Sequence, residues 1–209
     1  MARSLLTILS LLILSSCTAG LHVTNYEGPD AGVLVTSLGA KTGTVYNGYN
    51  LFYRMKNRSP DGDGTIWWGQ ANILEGRKLD IDNGGETGIV DVRRLPPGEY
   101  EIFNFRVFYN GGNVQKNFSS KQDFSIPFSI RPGRATYIGE FIAVGVQGQN
   151  IFGFSIPDGA YFTVSDRRER DITIARQKHP NLGEVQSAVV DPKLVGNPFI
   201  RASVIEARR

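Results

Sequence analysis

Cysteine occurs once and histidine twice among the 209 residues, and these two scarcities weigh against internal disulfides and most hydrolase mechanisms. A lone thiol, Cys17, closes no internal disulfide, so the folded body must hold through its core rather than through covalent staples. The histidines, His22 and His179, lie far apart, and neither has the spacing of a metal site or of a nucleophile with its base. Gly-x-Ser-x-Gly elbows, His-Glu-x-x-His pairs and phosphate-cradling glycine loops are all missing. Long apolar runs are scarce as well: Leu5–Leu14 is the one candidate, and it is too short to span a bilayer comfortably. What is present, 41% hydrophobic and 21% charged residues with a net charge of +3, describes neither a disordered tail nor a polytopic membrane protein.

The N-terminus has the order of an export signal, with the minimal basic start Met1-Ala2-Arg3 followed by the apolar run. Residues 1–16 are expected to be a signal peptide. The run ends in Leu14-Ser15-Ser16-Cys17, which resembles the lipobox of bacterial lipoproteins. That resemblance implies lipidation (palmitate) at Cys17, and Thr18 in place of aspartate implies sorting to the outer membrane, facing periplasm or cell surface. Residues 17–31, polar after the anchor and carrying Gly28-Pro29-Asp30, are then the lipidated N-terminus and tether.

Charge is uneven along the chain. Residues 105–209 hold 14 Lys+Arg against 9 Asp+Glu, and the isoelectric point is near 9.0. For an exported lipoprotein this favours anionic headgroups, a cell-wall polymer or another envelope protein over nucleic acid.

From Gly32 onward the pattern is of short strands. Phe124, Ile126, Phe128 and Ile130 alternate with polar positions at a period no helix presents on one face, and Pro127, lacking an N–H, belongs at a sheet edge or bulge. Glu99–Tyr109 changes its apolar phase between Ile102 and Phe103, which calls for a bulge or burial on both sides. Val33–Leu38, Leu51–Lys56, Thr136–Val144, Ile151–Ile156 and Tyr161–Val164 read as further strands, with turns at 145–150 and 157–159. Asp166 and Glu169 suggest a capping box opening one helix over about 166–178, with Ile172, Ala175 and His179 on its apolar face. The expected fold is all-β: a single antiparallel β-sandwich over 32–190 with one short α-helix in the C-terminal region, followed by a loose tail, 191–209.

Two Pro-Gly turns lead into aromatic strands, Leu95-Pro96-Pro97-Gly98-Glu99-Tyr100 and Ile130-Arg131-Pro132-Gly133-Arg134 before Tyr137. They resemble the turns of transthyretin-like and carboxypeptidase-regulatory-like β-sandwiches. The enzymatic members of that group rely on a histidine-rich site, which this sequence lacks, so the resemblance implies an architecture and not their activity.

Trp67 and Trp68 are the foremost binding candidates: adjacent strand residues point opposite ways, so one is expected in the core and one outward, with Tyr46, Tyr49 and Tyr53 as possible company on an aromatic platform. Arg167, Arg168 and Arg170 on the helix form a second candidate contact surface. For calcium, Asp61–Thr65 lacks an acid at the twelfth position, whereas Asp80, Asp82, Glu86 and Asp91 fall at positions 1, 3, 7 and 12, without a side-chain oxygen at position 5. Glu99 and Glu101 share a strand face and are the carboxylates a glycosidase would need. The sequence therefore points to a cell-envelope lipoprotein that binds or supports rather than catalyses, without a cofactor. The alternatives are an envelope glycan hydrolase with paired carboxylates or a calcium-stabilised module.

Overall fold

A computed structural model of the chain describes residues 25–57, 62–69, 79–110, 115–149, 151, 153 and 155–203. The signal peptide, Cys17, His22, Asp61 and residues 17–24 of the expected tether lie outside the described residues, as do 204–209. The strands are β1 (Gly32–Lys41), β2 (Gly48–Met55), β3 (Gly64–Gly69), β4 (Ile81–Asp82), β5 (Glu86–Leu95), β6 (Gly98–Asn110), β7 (Gln115–Ser119), β8 (Ile126–Ile130), β9 (Ala135–Gln149), β10 (Ser155–Ser165), β11 (Val185–Ser187) and β12 (Ile200–Ala202). Two helices are described, α1 (Arg168–Lys178) and the short α2 (Pro192–Val195).

The fold is all-β, built from two sheets. A seven-stranded sheet runs β12-β10-β9-β1-β5-β4 with β11 beside β9, and a five-stranded sheet runs β3-β2-β6-β7 with β8 also on β6. Leu34, Leu38, Ile138, Phe141 and Phe162 of the first sheet meet Leu51, Ile66, Trp68, Phe105 and Ile126 of the second to form the main core. A second, smaller core lies on the far side of the seven-stranded sheet, where Ile172 and Ala175 of α1 cover Val35, Ala135, Tyr137 and Val185.

That second layer explains a departure from the antiparallel expectation. β1 pairs β9 in parallel, as do β11 with β9 and β12 with β10. Parallel strands are buried on both faces. β1 is buried from Leu34 through Ala40 because α1 lies on one side and the five-stranded sheet on the other, and its near-continuous β-prone run is the sequence trace of this.

Three irregularities set the faces. In β6, Phe52 pairs Asn104 while Tyr53 pairs Ile102, leaving Phe103 as an extra residue; the buried set changes from Tyr100 and Ile102 to Phe105 and Val107 at the expected point. β8 forms the edge that Pro127 requires. In β9, β1 advances two residues from Val35 to Ser37 while its partner advances three from Tyr137 to Glu140, and Gly139 takes φ +107. That bulge turns Tyr137 and Glu140 to the same, helix-covered side, which regular alternation forbids for residues three apart.

Other boundaries move. The turn expected at 157–159 is a bulge within β10, since Pro157 pairs Gln147 and Gly159 pairs Val146 with Asp158 between them. The run expected as a turn from Gly145 continues β9 to Gln149, because β10 pairs along all of it. Helix α1 starts at Arg168 with Arg167 as N-cap; Asp166 sits one position earlier, its Oδ1 accepting from the Arg168 N–H at 2.9 Å. His179 is the exposed C-cap rather than part of the apolar face. The tail is not loose throughout: Ile200 is buried, Phe199 packs on the main core and Arg201 stacks on Tyr161 at 4.0 Å, and this makes β12 a strand. Residues 25–31 lie against β5, where the Tyr26 N–H donates to the Arg94 carbonyl at 3.0 Å.

Candidate binding face

The Trp67–Trp68 pair divides as strand geometry requires. Trp68 is 1% exposed and stacks on Tyr49 at 5.1 Å between centroids, whereas Trp67 is 36% exposed on the outer face of the five-stranded sheet. Tyr46, Tyr49 and Tyr53 do not join Trp67; all three are buried. Leu51 separates Tyr49 from Tyr53 on β2, so both share the inward phase. The Tyr49 hydroxyl donates to the Tyr46 carbonyl at 2.6 Å, and burial pushes its pKa far above the usual tyrosine range.

Other residues keep Trp67 company. Gly48 of β2 pairs both Gly69 of β3 and Phe108 of β6. A Cβ at Gly48 would lie 1.7 Å from the Phe108 ring, and one at Gly69 would lie 2.8 Å from the Trp67 indole. The two glycines remove the side chains that would hold these rings off the sheet, so Trp67 lies over the backbone of its own strand β3 while Phe108, on β6, lies over the backbone of β2 between them. Along the same face Phe52 and Phe103 approach to 6.3 Å, with the Arg54 guanidinium 4.3 Å from the Phe103 centroid and that of Arg106 5.4 Å from Phe52. Arg54 also pairs with Glu101 at 2.8 Å and Asp123 at 3.2 Å. Arg106 has no ion pair among the described residues. Sequence reasoning found Trp67 and missed Phe52, Phe103, Phe108 and Arg106; the available signals were the phase change at Phe103 and glycines inside two strands.

The carboxylates of this sheet are committed elsewhere. Glu99 accepts from the Ser129 hydroxyl at 2.8 Å, and Glu101 accepts from Ser125 at 2.7 Å besides Arg54. Burial raises the Glu101 pKa, but the Ser125 and Arg54 hydrogen bonds outweigh it and hold the carboxyl below the ordinary glutamate value. Glu86 behaves alike: burial is outweighed by Lys41, 2.7 Å away. Groups with depressed folded pKa values contribute stability that is present above the unfolded value, 4.5, and is lost as pH falls through the folded one. The melting temperature is therefore expected to decline on acidification below pH 4.5, less steeply in Glu101→Gln, as thermal melts across about pH 3 to 7 would read.

The four calcium candidates are not assembled. Asp80 accepts from the Val90 N–H at 2.8 Å and pairs with Lys178, Glu86 pairs with Lys41, and Asp91 pairs with Arg93 at 2.9 Å. Asp82 is exposed at the β4–β5 turn, which Asn83 closes by accepting from the Gly85 and Glu86 N–H groups. Among the described residues no group of three or more His, Cys, Asp or Glu is placed to hold a metal ion.

The helix arginines are split between surface and interior. Arg168 donates to the Val185 carbonyl at 2.7 Å, which ties α1 to β11. Arg170 bridges two buried carboxylates, reaching Glu140 and Asp171 at 2.6 Å each, while Arg167 approaches Glu140 at 3.5 Å. Ser165 donates to Glu140 at 2.7 Å; Asp171 also accepts from the hydroxyls of Ser37 and Tyr137. The Tyr137 oxygen in turn accepts from the Arg167 N–H at 3.1 Å. This cluster contains no histidine and both its acids are about 1% exposed or less, so it clasps α1 to the sheet and offers no nucleophile to a substrate.

No family model matches the chain, and no curated protein matches it. Among solved structures, a leucine-rich repeat protein from Bacteroides thetaiotaomicron aligns over 55% of this chain and 14% of its own length at 14% identity, with a TM-score of 0.33, a likeness that carries no argument. No helix among the described residues is long and apolar enough to cross a membrane.

Proposed function

We propose that the protein is a cell-envelope lipoprotein, anchored to the outer membrane through Cys17, whose sandwich is a non-catalytic module that binds an acidic envelope polysaccharide. The observation that carries this reading is the outer face of the five-stranded sheet, where Trp67 and Phe108 lie over Gly69 and Gly48, and where Arg106, two residues before Phe108 on β6, stacks on Phe52 and makes no ion pair among the described residues. Flat rings take the apolar faces of sugars, and a guanidinium without a carboxylate partner takes an acid group. The Leu14-Ser15-Ser16-Cys17 lipobox supports the anchor. The Leu95–Tyr100 turn supports a transthyretin-like organisation, with the Tyr100 hydroxyl donating to the Pro96 carbonyl at 2.7 Å as sandwich corner tyrosines do.

A glycosidase reading is weaker because Glu101 is held ionised and paired with Arg54, leaving it unable to serve as general acid. Calcium is likewise disfavoured by the cations that already occupy Asp80, Glu86 and Asp91. The anchor is tested by labelled-palmitate incorporation with membrane fractionation, comparing wild type and Cys17→Ala in a Gram-negative host. The expected result is label in the wild-type outer membrane and none in the variant. Label in neither, with wild type recovered in the soluble fraction, removes the anchored reading.

A further inference from the structure

On the helix side of the seven-stranded sheet, away from the aromatic face, a groove of about 420 Å³ opens between β1, β5 and the segment that follows α1. Its volume lies in the range of small-ligand sites. Val33, Val92 and Leu182 make up its apolar lining, while Arg94 and Lys178 supply positive charge and His179 an imidazole. No Asp or Glu is part of the lining. Lys178 is engaged by Asp80 and donates to the Val90 carbonyl at 2.9 Å. Arg94 donates one N–H to the Gly28 carbonyl at 3.1 Å and has no ion pair among the described residues. The walls are held in place: the Leu182 N–H donates to the His179 carbonyl at 3.0 Å, and Gly183 packs so closely on the 131–134 turn that a Cβ would sit 2.6 Å from the Gly133 carbonyl.

We propose that this groove binds an anionic phospholipid, with its phosphate at Arg94 and His179 and the adjoining hydrocarbon on Val33 and Val92. Arg94 and Lys178 in a lining without Asp or Glu call for an anion, and Val33, Val92 and Leu182 in the same lining call for an amphiphile rather than a hydrophilic ion. The sequence separation from Cys17 gives a second reason. Asn25, the first described residue, lines the groove. Eight residues from Cys17 to Asn25 span at most about 29 Å when extended. A lipid on Cys17 would thus keep the groove within reach of the bilayer; this location rests on the anchored reading, whereas the recognition chemistry does not.

The full-length protein in neutral detergent is titrated with dihexanoyl phosphatidylglycerol, dihexanoyl phosphatidylcholine and inorganic phosphate, with binding read by calorimetry. Phosphatidylglycerol is expected to bind at least about tenfold more tightly than either of the others, since the zwitterion cancels the charge and phosphate lacks the apolar part. Arg94→Gln should lose about that factor, and His179→Ala, at an exposed position that leaves folding intact, should lose several-fold by removing a ring N–H that can donate to the phosphate. Equal affinity for phosphatidylcholine, or no change in either variant, overturns the proposal. Phosphate binding as tightly as phosphatidylglycerol overturns the lipid and leaves a simple anion site. Palmitate labelling separates the two readings: phosphatidylglycerol binding without label removes the anchor alone, and label without binding removes the groove alone.

Discussion

Replacing Asp171 by asparagine is expected to lower the melting temperature by about 6–20 °C. Breaking one side of a buried ion pair costs about 3–5 kcal/mol, and for a chain of this size each kcal/mol moves the midpoint by about 2–4 °C. Asp171 is fully buried and uses both oxygens: one accepts from Ser37 and Tyr137, the other from two Arg170 nitrogens. Burial, reinforced by the Asp171 charge, pushes the Tyr137 hydroxyl far above the usual tyrosine range, so it remains a donor at any ordinary pH. An asparagine offers one acceptor where the carboxylate offers two and leaves Arg170 with Glu140 as its sole carboxylate. Hydrogen exchange should show α1 losing protection before the main core, because the variant cuts the clasp and spares the inter-sheet contacts. The double variant Arg170→Met/Asp171→Leu should not recover the loss, because it leaves the buried Glu140 with the more distant Arg167 as its cation and the Ser37 and Tyr137 hydroxyls without the Asp171 acceptor. A shift below about 2 °C for Asp171→Asn would mean that water enters beneath α1 and that the cluster is not a dry clasp.

The uneven legibility of the fold in the sequence follows from what is local and what is not. The β8 strand, its edge position and the β6 bulge could be read because alternation, a proline and a phase change all lie within a few residues of one another. The helix was legible to within two residues at its start, since the Asp166 side chain caps from one position earlier than a capping box would place it. The parallel pairing of β1 with β9 was not legible, because it joins residues about a hundred positions apart and leaves only a run of buried β-formers behind. The clasp was hidden for a related reason. Glu140 reads as a solvent-facing strand residue until the Gly139 bulge turns it under α1, and that bulge needs a positive φ which one glycine among 24 does not announce. The aromatic face was half legible: the Trp67–Trp68 dipeptide gave one anchor, while Phe108 depended on the register that sets it over Gly48.

The two adjacent tryptophans should therefore fail in opposite ways. Trp68→Ala removes a fully packed indole stacked on Tyr49 and is expected to cost about 3–5 kcal/mol, so denaturant unfolding should shift strongly while any surviving fold keeps its outer face. Trp67→Ala should shift stability by less than about 1 kcal/mol, since its ring covers Gly69 without filling the core. It should nevertheless lower retention on an acidic polysaccharide matrix about tenfold or more, as loss of a central aromatic anchor does. The chain has two tryptophans, so Trp68→Phe leaves Trp67 as its sole indole reporter. Emission from that variant should be red-shifted, open to acrylamide quenching, and protected when the polysaccharide is added. Arg106→Gln should weaken the same retention and reduce its dependence on salt, because it removes from the face a guanidinium that makes no ion pair among the described residues. Unchanged retention in both Trp67→Ala and Arg106→Gln, with folding intact, would show that the polymer does not bind this face. Retention lost in Trp68→Ala alone would report unfolding rather than recognition, and the stability measurement separates the two.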